Sequence, residues 1–231
     1  WVKPSADGTA ATPVKVSSEG AQSLTLALVT GQPARVSADG ISGPAGANQT
    51  QVRVTGTAVN SAGTLLTGAQ LAGLPVTVAS QKGILNNQTP TITTRFDTAG
   101  MATLTLSGTI STTPGASNCV ATSGDATSDP LAVAFVGQAD AVNGFTYVSS
   151  PVAVNNKLTV YQDTQFTLEV TAKDAANPAQ PVLRGTTLSI LANGLTVAGN
   201  TDIATTDDTG RVRWTLTAST AGTRDIFVKA D

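Results

Sequence analysis

Apolar residues recur at every second position in short runs along this chain, and Gly, Pro, Asn or Asp interrupts each run. Alternation of this kind sets one face of a strand against a core and leaves the other to solvent. It is visible at Val52, Val54 and Gly56, at Val76 and Val78, and at Leu131, Val133 and Phe135. It returns at Phe166, Leu168, Val170 and Ala172, then at Val212, Trp214 and Leu216. No stretch carries a strong helical period. The pattern predicts an all-β chain of sandwich type, rich in turns. Asn193-Gly194, between Leu188/Ile190 and Leu195/Val197, predicts a two-residue hairpin.

Internal repetition sets the expected domain boundaries. Asp97-Thr98-Ala99-Gly100 leads into Met101-Ala102-Thr103-Leu104-Thr105-Leu106, and Asp207-Asp208-Thr209-Gly210 into Arg211-Val212-Arg213-Trp214-Thr215-Leu216. Aligned on the two glycines, Ala102, Leu104 and Leu106 fall on Val212, Trp214 and Leu216. The Asp caps its own turn through its side chain, and the Gly takes the positive φ of a tight reversal. Gly222 follows and opens Ile226-Phe227-Val228-Lys229-Ala230, which predicts a hairpin closing the domain.

A third copy of this tail stands at Asp7-Gly8, with Gly20 at the same spacing and Ser23-Leu24-Thr25-Leu26-Ala27-Leu28 after it. Residues 1–30 therefore read as the closing hairpin of a preceding domain or as an arm that joins a neighbour. Complete domains are expected over 31–137 and 138–231, with junctions short enough to favour end-to-end stacking. The first holds extra sequence near 112–130 that includes Cys119. Its last strand is either Cys119-Val120-Ala121-Thr122 or Leu131-Ala132-Val133-Ala134-Phe135. Apolar alternation favours the latter, which makes the insertion a surface loop.

Length agrees with that organisation, since 231 residues suffice for about two domains of ~100–150 residues. Charge narrows the function. With 13 Lys+Arg against 15 Asp+Glu and no basic run, the chain offers no electrostatic footprint for nucleic acid. No histidine and one cysteine remove Ser-His and Cys-His nucleophiles and His- or Cys-based zinc sites. Aromatics make up 4% of residues, so Val, Leu, Ile and Ala must fill the cores. No apolar run is long enough to span a bilayer as a helix. The expectation is a non-enzyme with no cofactor.

Several stretches together resemble the bacterial immunoglobulin-like domains of group 1 (Big-1) type found in invasin- and intimin-like adhesins. The carriers are Gly73-Leu74-Pro75-Val76-Thr77-Val78, Gly83-Ile84-Leu85 and residues 93–106 and 205–216. Gly31-Gln32-Pro33-Ala34-Arg35-Val36 is similar to the start of such a module. The resemblance implies tandem immunoglobulin-like Greek-key β-sandwiches in a cell-surface or secreted bacterial protein. It also implies a structural, spacer-like role, with partners among neighbouring immunoglobulin-like domains, a host receptor or a glycan. Subunits of a self-assembling surface layer or filament are the alternative.

Candidate chemistry is sparse. Asp202, Asp207 and Asp208 form an acidic cluster with the oxygen donors that Ca²⁺ takes, or else cap turns. Asp125 and Asp129 are a carboxylate pair without the aromatic platforms of a sugar cleft. Trp214 and Phe166 are expected in the core, and Phe145-Thr146-Tyr147 and Tyr161 are the candidates for exposed aromatics. Cys119 has no base or cation beside it in sequence, which predicts an unreactive thiol or half of an external disulfide. Asn48-Gln49-Thr50 and Asn87-Gln88-Thr89 match the glycosylation acceptor pattern, which in a bacterial protein carries little meaning.

Overall fold

The computed structural model describes residues 24–30, 34–40, 47–60 and 62–231. They fall into two compact units that divide after Phe135, with residues 47–48 and 113–115 grouped in the second.

The first unit contains β1 (Leu24–Thr30), β2 (Arg35–Ser37), β3 (Gln49–Ala58), β4 (Pro75–Ser80), β5 (Ile84–Leu85) and β6 (Thr91–Arg95). It continues with β7 (Met101–Ser107), β8 (Gly115–Ser123), β9 (Ala126–Thr127) and β10 (Leu131–Val136). One sheet runs β1-β3-β7-β5 and the other β2-β10-β8-β4-β6, with β9 paired to β8. Along β3, Thr50, Val52, Val54, Gly56 and Ala58 are buried while the residues between them face outward. The register sets Val52 opposite Leu104 and Val54 opposite Ala102. These side chains share one core with Val76, Val78, Phe96 and Phe135 from the rest of the unit.

The second unit contains β11 (Phe145–Ser150), β12 (Gln165–Ala172), β13 (Thr187–Ala192), β14 (Thr196–Val197), β15 (Ile203–Thr205), β16 (Arg211–Thr217) and β17 (Ile226–Ala230). Its sheets run β11-β12-β16-β14 and β15-β13-β17. The first repeats β1-β3-β7-β5 strand for strand. Leu168 opposes Trp214 as Val52 opposes Leu104, and Val170 opposes Val212 as Val54 opposes Ala102. Connections that cross between two packed sheets make each unit an immunoglobulin-like Greek-key β-sandwich.

Four expectations need correction. Leu24–Thr30 is not the end of a preceding domain, because β1 pairs with β3 over its whole length and places Leu26 in the first core. Residues 1–23 of the expected hairpin or arm lie outside the described residues. The region 112–130 is not a surface loop. It supplies β8, paired with β4 and adjacent to β10, so Cys119-Val120-Ala121-Thr122 and Leu131–Val136 are both strands. Its inward residues Ser117, Cys119 and Ala121 are small, which hides a core strand from any search for large apolar side chains.

The remaining two corrections concern turns. β16 and β17 do not pair as a hairpin; β16 lies beside β12 and β17 beside β13, in opposite sheets. Likewise Asn193-Gly194 joins β13 to β14, which pairs with β16. A strand, a glycine turn and a second strand look alike in sequence whether the chain folds back in one sheet or crosses to the other.

Candidate functional site

The two Asp-x-x-Gly turns are built the same way. Asp97 Oδ1 accepts from the Ala99 and Met101 N–H groups at 2.8 and 2.9 Å. Asp207 Oδ1 accepts from the Thr209 and Arg211 N–H groups at 2.8 and 3.0 Å and from the Thr209 hydroxyl at 2.7 Å. That hydroxyl, followed by the backbone donor of Arg211, holds the Asp207 carboxyl below its ordinary range. Gly100 and Gly210 sit at φ 73° and 72°, and their carbonyls accept from Gly56 and Ala172. The aspartates therefore serve the turn.

The acidic cluster does not converge. Asp208 is exposed and pairs with Arg184 at 3.5 Å, while Asp202 leads into β15, where its carbonyl accepts from Ile190. Among the described residues no group of three or more His, Cys, Asp or Glu gathers where it would hold a metal. Asp125 stands in the exposed β8–β9 turn and Asp129 lies exposed before β10.

Asp174 is the one buried carboxylate among the described residues, 1% exposed. Its Oδ1 accepts from Ala176 and Gln180 at 3.1 and 2.8 Å, and its Oδ2 from Gly137 at 3.0 Å. Three backbone donors in a low-dielectric setting make it a structural anchor of the second unit. It ties the chain just after β10 to the end of β12.

Cys119 is fully buried on β8 with its thiol 3.4 Å from the Ser80 hydroxyl. Burial pushes this thiol up, the Ser80 bond opposing in part. Trp214 and Phe166 lie in the second core as expected. Phe145 packs partly against that core, whereas Tyr147 and Tyr161 are exposed, on β11 and in the β11–β12 connection. Asn87, in the second acceptor triplet, holds φ 57° in the β5–β6 turn and takes a hydrogen bond from Ser107.

The largest difference between the units lies in the sheet β15-β13-β17. In the first unit the outer face of the matching strands carries Thr93, Ala79 and Val120, with a Thr77–Thr93 hydroxyl contact of 2.8 Å. At the matching register positions the second unit carries Ile203, Leu191 and Phe227, exposed by 60%, 56% and 61%. Leu191 and Phe227 are direct cross-strand neighbours. On the inner face, Cys119 and Ala121 are sealed, yet their counterparts Ile226 and Val228 are only half-buried. β8 has β10 on its far side; among the described residues β17 pairs with β13 alone.

No family model and no curated protein matches this chain. Similar solved structures do exist. The D0–D1 domains of intimin are 18% identical, over 90% of this chain and 90% of that one, with a TM-score of 0.34. The Yersinia pseudotuberculosis adhesin InvE is 15% identical over 90% of this chain and 55% of that one, with a TM-score of 0.36. Domains 4–9 of the surface-layer protein SbsC are 16% identical over 90% of this chain and 28% of that one, with a TM-score of 0.43. The present chain thus spans about half the length of the InvE chain and under a third of the SbsC chain.

Sequence reasoning found the two turns and the inward Trp214 and Phe166. It missed Asp174 as an anchor and the exposed apolar pair of Leu191 and Phe227. The first had a local signal, an Asp closing a strand before Asn177-Pro178. The second had none, because which residues face each other across two strands is a property of their pairing.

Proposed function

We propose that this chain is a non-catalytic structural segment of a bacterial cell-surface or extracellular multidomain protein, a spacer of adhesin type. The observation that carries the reading is the shared frame. Seven strands recur in the two units in the same order and register, and each unit encloses its own core. Repetition of a self-contained module is the economical way to build length. Asp207, which sequence offered as an oxygen donor to a metal, is used in its turn instead, as Asp97 is in the matching turn of the first unit. The Big-1-like motifs at 93–106 and 205–216 supply those same turns. Among the described residues no helix is long and apolar enough to cross a membrane.

A spacer holds its modules apart in a line, so solution scattering tests the idea directly. A compact globule of this length would have a radius of gyration of about 17 Å. The expected value is clearly larger, with a pair-distance distribution that tails to long separations. A value near the compact figure overturns the reading. A glycan array probed with the same fragment distinguishes the binding-module alternative, in which Tyr147 or Tyr161 would contact sugar and their alanine variants would lose the signal.

A further inference from the structure

Asn-Gly occurs twice in this chain, at Asn143-Gly144 and Asn193-Gly194, and the fold treats the two pairs differently. The dipeptide has a chemistry of its own. With no Cβ on the glycine, its backbone nitrogen can approach the side-chain amide carbon of the preceding asparagine and close a five-membered ring. Closure needs an attacking N–H without a partner, a side chain that is not held elsewhere, and a backbone with room to rotate.

Asn143 is exposed, yet Gly144 is buried and fixed. Its N–H donates to the Asp140 carbonyl at 2.9 Å, and its own carbonyl accepts from Lys173 at 2.8 Å. Backbone carbonyls of Lys173 and Asp140 stand where a Cβ would be, which leaves the peptide no space to swing. Asn193 and Gly194 are both exposed, in the turn from β13 to β14. Among the described residues nothing accepts from the Gly194 N–H, and the Asn193 side chain makes no hydrogen bond. By contrast Asn60, Asn86 and Asn87 spend their amide oxygens on neighbours. The turn is closed by one bond, from the Leu195 N–H to the Ala192 carbonyl at 3.0 Å, and an exposed turn of this kind opens locally at little cost. What lies against Gly194 is the side chain of Arg224, a flexible neighbour in place of a backbone wall. Its guanidinium donates to the Thr220 hydroxyl at 2.9 Å and to the Thr223 carbonyl at 3.2 Å.

We propose that Asn193 is a self-modifying site, at which the folded chain deamidates with water as the only co-reactant. The Gly194 nitrogen bonds to the Asn193 amide carbon and gives its proton to solvent. The bond from that carbon to Nδ2 breaks, and Nδ2 takes up a proton and leaves as ammonia. Water then opens the succinimide at one of its two carbonyls. Attack at the former side-chain carbon restores the normal main chain and leaves aspartate. Attack at the main-chain carbon leaves isoaspartate, whose backbone runs through the old side chain and is one methylene longer. Asparagine and water thus give an acid and ammonia, and nothing is oxidised or reduced. Either product sets a carboxylate beside the Arg224 guanidinium, in a turn that carried no charge. Isoaspartate also lengthens the link that takes the chain from one sheet of the second unit to the other. The site stands apart from the spacer reading, which concerns the shape of the chain and not this bond.

Peptide mapping by mass spectrometry tests the proposal on the full, folded chain held for days at mildly alkaline pH and physiological temperature. The peptide holding Asn193 should acquire the amide-to-acid mass shift and split into two chromatographic forms, aspartate and isoaspartate. Asn143 should react at least about tenfold more slowly. In urea that preference should vanish, because both pairs share one chemistry once the fold is gone. On isoelectric focusing of the folded chain, Asn143→Gln should acidify with time as wild type does, and Asn193→Gln should not. An Asn193 that stays intact in the folded chain while it reacts in urea overturns the proposal. So does an Asn143 that keeps pace with Asn193 in the folded chain.

Discussion

At Asp97 and Asp207 one side-chain oxygen closes a turn that would otherwise leave backbone N–H groups pointing into space. Cys119 illustrates the reverse: a residue with reactive chemistry spent wholly on packing. Its thiol is sealed at 0% exposure, and burial raises the folded pKa above the ~8.5 of an unfolded cysteine. The neutral thiol is thus the form the fold favours, and its contribution is fully present below pH ~8.5. Above that value the unfolded chain loses the proton first, so stability falls by up to about 1.4 kcal/mol per pH unit until the folded thiol also ionises. Urea titrations of wild type and Cys119→Ala from pH 7 to above 9 should show the gap between them narrowing as pH rises. A gap that stays constant would remove the linkage. The two turns were legible in sequence because Asp and Gly act within four residues of each other. The setting of Cys119 was not, because Asn118 beside it is polar and its partner Ser80 lies on β4, distant in the chain.

Elements show the same division between local and long-range information. Alternation identified β3, β7, β12 and β16, all of which carry large apolar residues on one face. It passed over β8, whose inward residues are Ser117, Cys119 and Ala121, and it could not tell a hairpin from a crossing between sheets at β16 and β17. Register is where the units diverge in surface chemistry: the Thr93, Ala79 and Val120 positions become Ile203, Leu191 and Phe227. A direct cross-strand apolar pair contributes roughly 0.2–1 kcal/mol. A double-mutant cycle on Leu191→Thr and Phe227→Thr should return a coupling in that range, with each single change costing little because both side chains are more than half exposed. Zero coupling would mean that the pair does not touch in solution. A markedly larger value would mean that the face is covered.

The described residues of the molecule hold two cores and one repeated frame, so their stability is carried in two separate places. Leu104 and Trp214 test this because they occupy the same position in their units, opposite Val52 and Leu168. Both are buried, at 1% and 3% exposure. Truncation of either to alanine removes apolar contact and leaves a cavity, at a cost of about 3–5 kcal/mol. For a unit of this size each kcal/mol moves the midpoint by about 4–8 °C. Calorimetry on Leu104→Ala should therefore lower the transition of the first unit by ten degrees or more and leave the other in place, and Trp214→Ala should do the converse. Because the two residues belong to different cores, the double variant should show both shifts at their single-variant values. If one substitution drags both transitions down together, the units fold as a single cooperative body. The shared strand order would then describe a common ancestry of form without the mechanical independence that a spacer needs. Two transitions that move separately would instead give each module its own resistance to unfolding, the property that lets a repeated array lengthen without losing stability at any one unit.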